Sequence, residues 1–215
     1  MRYAFMWSAV WIVILTIPPG SREITTAYRI NFWHGVISSV AALLCMAKLL
    51  PESITTPITL TYFVIDFINN LLNDFYFKVP SYHVGSGRMM EYFHHILCFS
   101  LGFASELFYK QVCGFDHNPF VELMLAEVST PFLMLWRINP SRPKLILFTC
   151  VFFCNRILYH GLYFIPECIH QCEKFTAFGF AFLYDGMNVY FFYMMVRKLM
   201  KKSSSSGGSK AKAQD

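Results

Sequence analysis

Seven apolar stretches, at roughly 3–17, 32–50, 57–77, 93–109, 119–136, 144–165 and 175–196, take up most of this chain. A bilayer core is crossed by about 20 residues of helix. No water inside it can satisfy exposed backbone groups, so such stretches fold as spanning helices. The fold class expected is all-α: a polytopic membrane helical bundle of about seven spans. Composition agrees, with 55% hydrophobic and 14% charged residues and a mean hydropathy of +0.42. Soluble domains carry nearer a quarter charged residues. One bundle accounts for all 215 residues.

The first stretch is short for a span, and Arg2 precedes it as in a signal peptide. No small-x-small cleavage site follows, and Pro18-Pro19-Gly20 reads as a helix stop. The expectation is therefore an uncleaved anchor within 1–24, a transmembrane domain over 25–198, and a disordered basic tail over 199–215.

Charge sets the sidedness. Thirteen Lys and Arg fall in the tail and in the loops after spans one, three and five; four fall on the other side, and Arg156 lies inside a span. The positive-inside rule puts the C-terminus in the cytosol and the N-terminus on the lumenal or outer side. The net charge of +5 thus serves topology, and no basic face for nucleic acid is expected.

The seven cysteines form no framework. Cys45, Cys98, Cys150 and Cys154 fall in apolar stretches and read as small apolar side chains. Cys113, Cys168 and Cys172 fall in loops, where a disulfide among them is expected if that side is oxidising. Cys168-x-His170-x-Cys172 has no evident fourth ligand, so no metal is expected.

Ionisable groups at membrane depth are costly and face the bundle interior. Asp66, Asn70, Asn73 and Asp74 share one helical face of span three. Glu122 and Glu127 lie in span five, Asn155, Arg156 and His160 in span six, Asp185 and Asn188 in span seven. Asp66, Glu127, Arg156 and Asp185 sit near mid-span. Arg156 should pair with one of these acids, and another should be protonated or bonded to histidine. Such a set reads as a polar cavity rather than as glue between helices.

Span four opens with Glu91-Tyr92-Phe93-His94-His95. Glu91 is one turn from His95 and can orient its ring, while His94 points about 100° away. On a helix Glu91, His95, Cys98, Gly102, Ser105 and Glu106 form one stripe of polar and small residues. Both imidazoles should lie in the first turn of the span, on the cytosolic side. Imidazole is a competent acyl acceptor and a general base near neutral pH. A di-iron desaturase is excluded, since no cluster of the HxxHH type is present.

Three features resemble the TLC domain family, named for the translocating-chain-associating protein, the longevity-assurance ceramide synthases and a neuronal ceroid lipofuscinosis protein. They are His94-His95, the segment Glu127-Val128-Ser129-Thr130-Pro131-Phe132-Leu133 followed by Arg137, and Trp33-His34 in span two. The similarity covers roughly 25–198. It implies six helices in a barrel around a lipid-sized cavity, with span one outside. It also implies the endoplasmic reticulum, and catalysis at His94 and His95 as in ceramide synthases. The chain departs from those synthases after the pair, where Ile96-Leu97-Cys98-Phe99-Ser100 contains no His-Asp dipeptide. In this it more closely resembles the short TLC-domain proteins.

The sequence leaves three functions open. One is lipid homeostasis by binding or adjusting membrane lipids. Another is an acyl-CoA-dependent N- or O-acyltransferase, with His94, His95, Glu91, Asp66 and Asp74 catalytic and His34, Asn70, Glu127, Arg156 and Asp185 lining the substrate cavity. The third is a small-solute transporter. Membrane lipids and acyl-CoA are the expected ligands, with no other cofactor.

Overall fold

The computed structural model describes residues 2–16, 26–77, 86–106, 113, 118–172 and 175–204. Among them are seven helical rods and no strand. Helix α1 is Arg2–Thr16 and α2 is Thr26–Met46. Helix α3, Glu52–Leu71, runs on through a π-helical turn, Leu72–Tyr76. Helix α4 is Ser86–Ala104. Helices α5 (Pro119–Ile138) and α6 (Arg142–Cys172) follow, and α7 is Phe175–Ser204.

By length and composition three of these are able to cross a membrane: α2 from Tyr28, α5 and α6; α1 is a shorter apolar helix. The distribution of side chains suits lipid. Phe5, Leu162 and Phe182 are 70% exposed or more, whereas Asp66, His160 and Asn188 are wholly enclosed. Charge inside and large apolar groups outside reverse the pattern of a water-soluble domain.

The six helices after α1 follow one another in space as α4, α3, α2, α5, α6, α7. Leu97 and Leu101 of α4 belong to the same buried apolar cluster as Tyr184 and Met187 of α7, together with Ala126, Phe164 and Ile165 of α5 and α6. Helix α1 lies outside this row against α3 and α2. Its Trp11 is fully buried and donates from Nε1 to the Ile58 carbonyl (3.0 Å).

Two glycines permit close approach. A Cβ on Gly35 would stand 2.6 Å from Pro131 Cδ, which holds α2 against α5. A Cβ on Gly102 would stand 2.6 Å from both Leu60 and Phe120. Phe120, Val121 and Met124, each 3% exposed or less, are buried in the core beside this approach.

Several boundaries differ from expectation. Helix α4 begins seven residues before the apolar stretch, because Arg88 and Glu91 pair with each other and Arg88 also pairs with Asp74, so that they can be enclosed. His95 is therefore roughly 14 Å along α4. Cys168 and Cys172 are helical, in the last turns of α6, not in a loop. Helix α7 continues past 198 to Ser204, across the expected domain boundary. Pro18-Pro19-Gly20 and residues 205–215 lie outside the described residues. Cys113 and Cys172 form a disulfide, at the end of α6 remote from Arg142. Cys168 remains a thiol.

Candidate functional site

The polar interior is built around an irregularity in α5. Pro131 has no N–H to give the carbonyl four residues back, and its ring crowds that carbonyl. The preceding segment, Met124–Val128, is wound as a tighter 3-10 helix. Groups released from regular helix are taken up from α6. Arg156 Nε lies 3.1 Å from both the Ala126 carbonyl and Ser129 Oγ, and Arg156 Nη2 lies 3.3 Å from Glu127 Oε1. Thr130 donates to Glu127 Oε2 (2.7 Å). The Glu-x-Ser-Thr-Pro segment is thus a helix distortion held by one arginine. Arg156 itself lies in a π-helical stretch of α6, Phe153–Phe164, where wider turns place Arg156, His160 and Phe164 inward.

A second pair joins α4 to α3. His95 Nε2 is 2.8 Å from Asp66 Oδ2, and His95 Nδ1 is 2.8 Å from the Glu91 carbonyl. A carbonyl can only accept, so Nδ1 carries a hydrogen. Both ring nitrogens of His95 are thereby engaged. Asn70 donates to the same Asp66 oxygen at 3.2 Å, and the Tyr62 hydroxyl, 3.3 Å from it, donates to Asn31. The expected division of partners is what the geometry shows: Arg156 takes one acid, Glu127, and a histidine takes another, Asp66.

The two pairs are bridged. The His34 ring stacks on Tyr62 at 3.5 Å between centroids, with 9° between planes, and its Nδ1 is 3.7 Å from Glu127 Oε2. His34 therefore lies behind the pairs as a packing element.

Beside these groups is a cavity of about 390 Å³ bounded by α2, α3, α4, α5, α6 and α7. It leads from Trp136, Arg137 and Lys198 at the ends of α5 and α7 to His94, His95, Glu127 and Arg156 at mid-bundle. Leu133, Met134, Phe148, Phe152 and Met194 form much of the wall between. Lys198 Nζ sits 4.3 Å above the Trp136 ring. The volume is in the usual range of a small-molecule site, roughly 300–1,000 Å³.

Of the ten residues expected here, His94, His95, Glu91, Glu127 and Arg156 line the cavity. Asp66, Asn70 and His34 stand one layer behind. Two are elsewhere. Asp74 is gripped by Arg88 at 2.6 and 2.9 Å and by the Tyr92 hydroxyl at 2.5 Å, because the π turn ending α3 swings it toward the start of α4. Asp185 is half-buried against Gly161 on the α6–α7 contact and off the cavity wall. Glu91 orients the His95 ring, but through its backbone carbonyl; its carboxylate reaches Arg88 at 2.8 Å. His94 and His95 both line the cavity, although their positions on α4 differ by about 100°.

Arg88, Asn31, Tyr62 and Ser129 were not among the expected site residues. For Arg88 the usable signal was its spacing of three from Glu91. Among the described residues, no group of three His, Cys, Asp or Glu side chains is arranged to hold a metal. No protein-family model, no curated protein and no solved structure matches this chain.

Proposed function

We propose that this chain is a seven-span membrane protein of the TLC type, acting in lipid homeostasis by taking an acyl chain into its interior cavity. The observation that carries this reading is the cavity itself: an apolar wall leading to two imidazoles and an Arg156–Glu127 pair. A ring of six helices with α1 outside is the arrangement the resemblance implies. The ends of α5 and α7 that frame the cavity are the basic, cytosolic ends by charge, and the Cys113–Cys172 disulfide is at the opposite, lumenal end. An endoplasmic reticulum membrane suits both, and the cytosolic leaflet or a cytosolic acyl thioester is the source of the chain.

Acyl transfer is the second reading, favoured by His94. It lies on the cavity wall, and its ring nitrogens approach a thiol rather than a fixed oxygen acceptor.

The test uses the full chain in lipid nanodiscs with a photoactivatable acyl phospholipid. Crosslinks should map to Leu133, Phe148 or Met194 and be displaced by unlabelled lipid. Labels confined to the outer, lipid-facing surface, with none displaced, would sink the cavity reading. Incubation with labelled acyl-CoA and an amine or lysolipid acceptor then separates binding from turnover.

A further inference from the structure

The mouth of the cavity is framed by cations. Arg137 lies in the last turn of α5 and Lys198 in the closing turns of α7, and both line the wall. Two carboxylates share that wall, Glu91 and Glu127, and each is met by an arginine: Arg88 at 2.8 Å and Arg156 at 3.3 Å. Among the described residues of this wall, positive charge is therefore in excess, and the excess is at the mouth. Helix α6 adds to it. Its first turn starts at Arg142, its cap residue Ser141 makes no side-chain bond to it, and Leu145 of that turn lines the same cavity. The N-terminus of a helix favours an anion.

Size and depth bear on what would carry the opposite charge. A volume of about 390 Å³ is toward the lower end of small-molecule sites and suits one acyl chain rather than two. Arg137 and Glu127 are ten residues apart on α5, a rise of roughly 15 Å. That is half of the roughly 30 Å hydrocarbon core, the depth of one leaflet. An amphiphile with its chain against Leu133, Met134 and Phe148 thus keeps its polar end at the level of Arg137 and Lys198. A phosphocholine end would bring its own cation to these two. Trp136, whose ring is of the kind that holds a quaternary ammonium, already carries Lys198 Nζ 4.3 Å from its centre. A phosphate monoester meets no such conflict, and the forked guanidinium of arginine matches its oxygens.

We propose that the cavity selects single-chain lipids ending in a phosphate monoester, held at the mouth by Arg137 and Lys198. This rests on the cavity reading above and names its class of lipid. The chain lies along the apolar wall, and the phosphate faces the guanidinium, the ammonium and the start of α6. The ionic contact adds to burial of the chain and does not replace it. A lipid without net charge at that end therefore keeps the chain contacts and loses the preference.

The experiment uses the full chain in phosphatidylcholine nanodiscs carrying the photoactivatable acyl phospholipid. The competitors share one palmitoyl chain: lysophosphatidic acid, lysophosphatidylcholine and palmitoyl-CoA. Lysophosphatidic acid should displace the label at a tenth, or less, of the concentration that lysophosphatidylcholine needs. Arg137→Gln and Lys198→Gln should each cut this preference at least threefold and together abolish it, with displacement by lysophosphatidylcholine unchanged. Lys198→Arg should retain it. The double change Lys201→Gln/Lys202→Gln, in the adjoining basic run, should retain it as well. A loss there equal to that of the mouth variants would assign the effect to the field of the membrane surface and overturn the proposal. Equal displacement by the two lysolipids in the parent would overturn it without recourse to any variant. So would palmitoyl-CoA acting at lower concentration than lysophosphatidic acid, which would make a cytosolic thioester the source of the phosphate. Equal displacement leaves the cavity reading standing. A label that no competitor displaces defeats that reading itself.

Discussion

His95 Nε2 and Asp66 Oδ2 lie 2.8 Å apart with both side chains 5% exposed or less, and they tie α4 to α3 beside the cavity. A pair like this is costly to break from one side, because the partner stays buried without compensation. Asp66→Ala should lower stability by about 3–5 kcal/mol. The double change Asp66→Ala/His95→Ala should cost clearly less than the two single changes summed. Denaturant melts of the four proteins in one detergent form the cycle that checks this. Additive losses would mean the pair is not coupled.

The Arg156–Glu127 pair makes a parallel case with a different remedy. Arg156→Met should strand Glu127 and release the Ala126 carbonyl, at a cost of about 3–5 kcal/mol. Changing Glu127→Gln in that background should recover part of the loss, since a neutral amide is cheaper to bury. Protease resistance of the three proteins reports the order.

Helix α2 depends on the missing side chain of Gly35. Gly35→Ala should destabilise by about 1–3 kcal/mol, because even a methyl meets Pro131 at 2.6 Å and the ring cannot give way. Gly186, where an added methyl would meet nothing within 4 Å, should tolerate alanine. Thermal melts of the two variants should differ accordingly.

Filling the cavity separates binding from folding. Leu133→Trp should cut photolabelling by the acyl phospholipid at least tenfold while the melting temperature changes little, as Leu133 borders open space. Equal labelling would show that the chain binds elsewhere.

The Cys113–Cys172 bond spans 59 residues of sequence. Loop-closure entropy then puts its contribution at about 4 kcal/mol. Reductant should lower the melting temperature, and Cys113→Ser should make the protein insensitive to it. In sealed microsomes, a membrane-impermeant maleimide should reach these two thiols only after reduction and only once the membrane is opened.

The residues of the interior are largely legible in the sequence. Asp66, Glu127, Arg156 and the two adjacent histidines stand out because an ionisable group inside an apolar stretch is too costly to face lipid and must turn inward. Asp74 and Asp185 carry the same signal and yet lie off the cavity. A regular helix keeps Asp74 in line with Asp66, and the π turn at Leu72–Tyr76 does not. Arg88 is hidden for the opposite reason. It reads as a loop cation until Asp74 and Glu91 compensate its enclosure.

What the chain determined alone is its helical content, its apolar faces and the identity of its buried polar groups. These follow from local composition, since backbone in an apolar medium must bond within its own helix. What only the tertiary structure decided is who pairs with whom. His95 meets Asp66 across 29 residues, and Arg156 meets Glu127 across the same separation. Such pairings depend on helix phase and on close approach. Both are altered here by the 3-10 and π segments and by Gly35, whose consequences appear only when neighbouring helices are packed together.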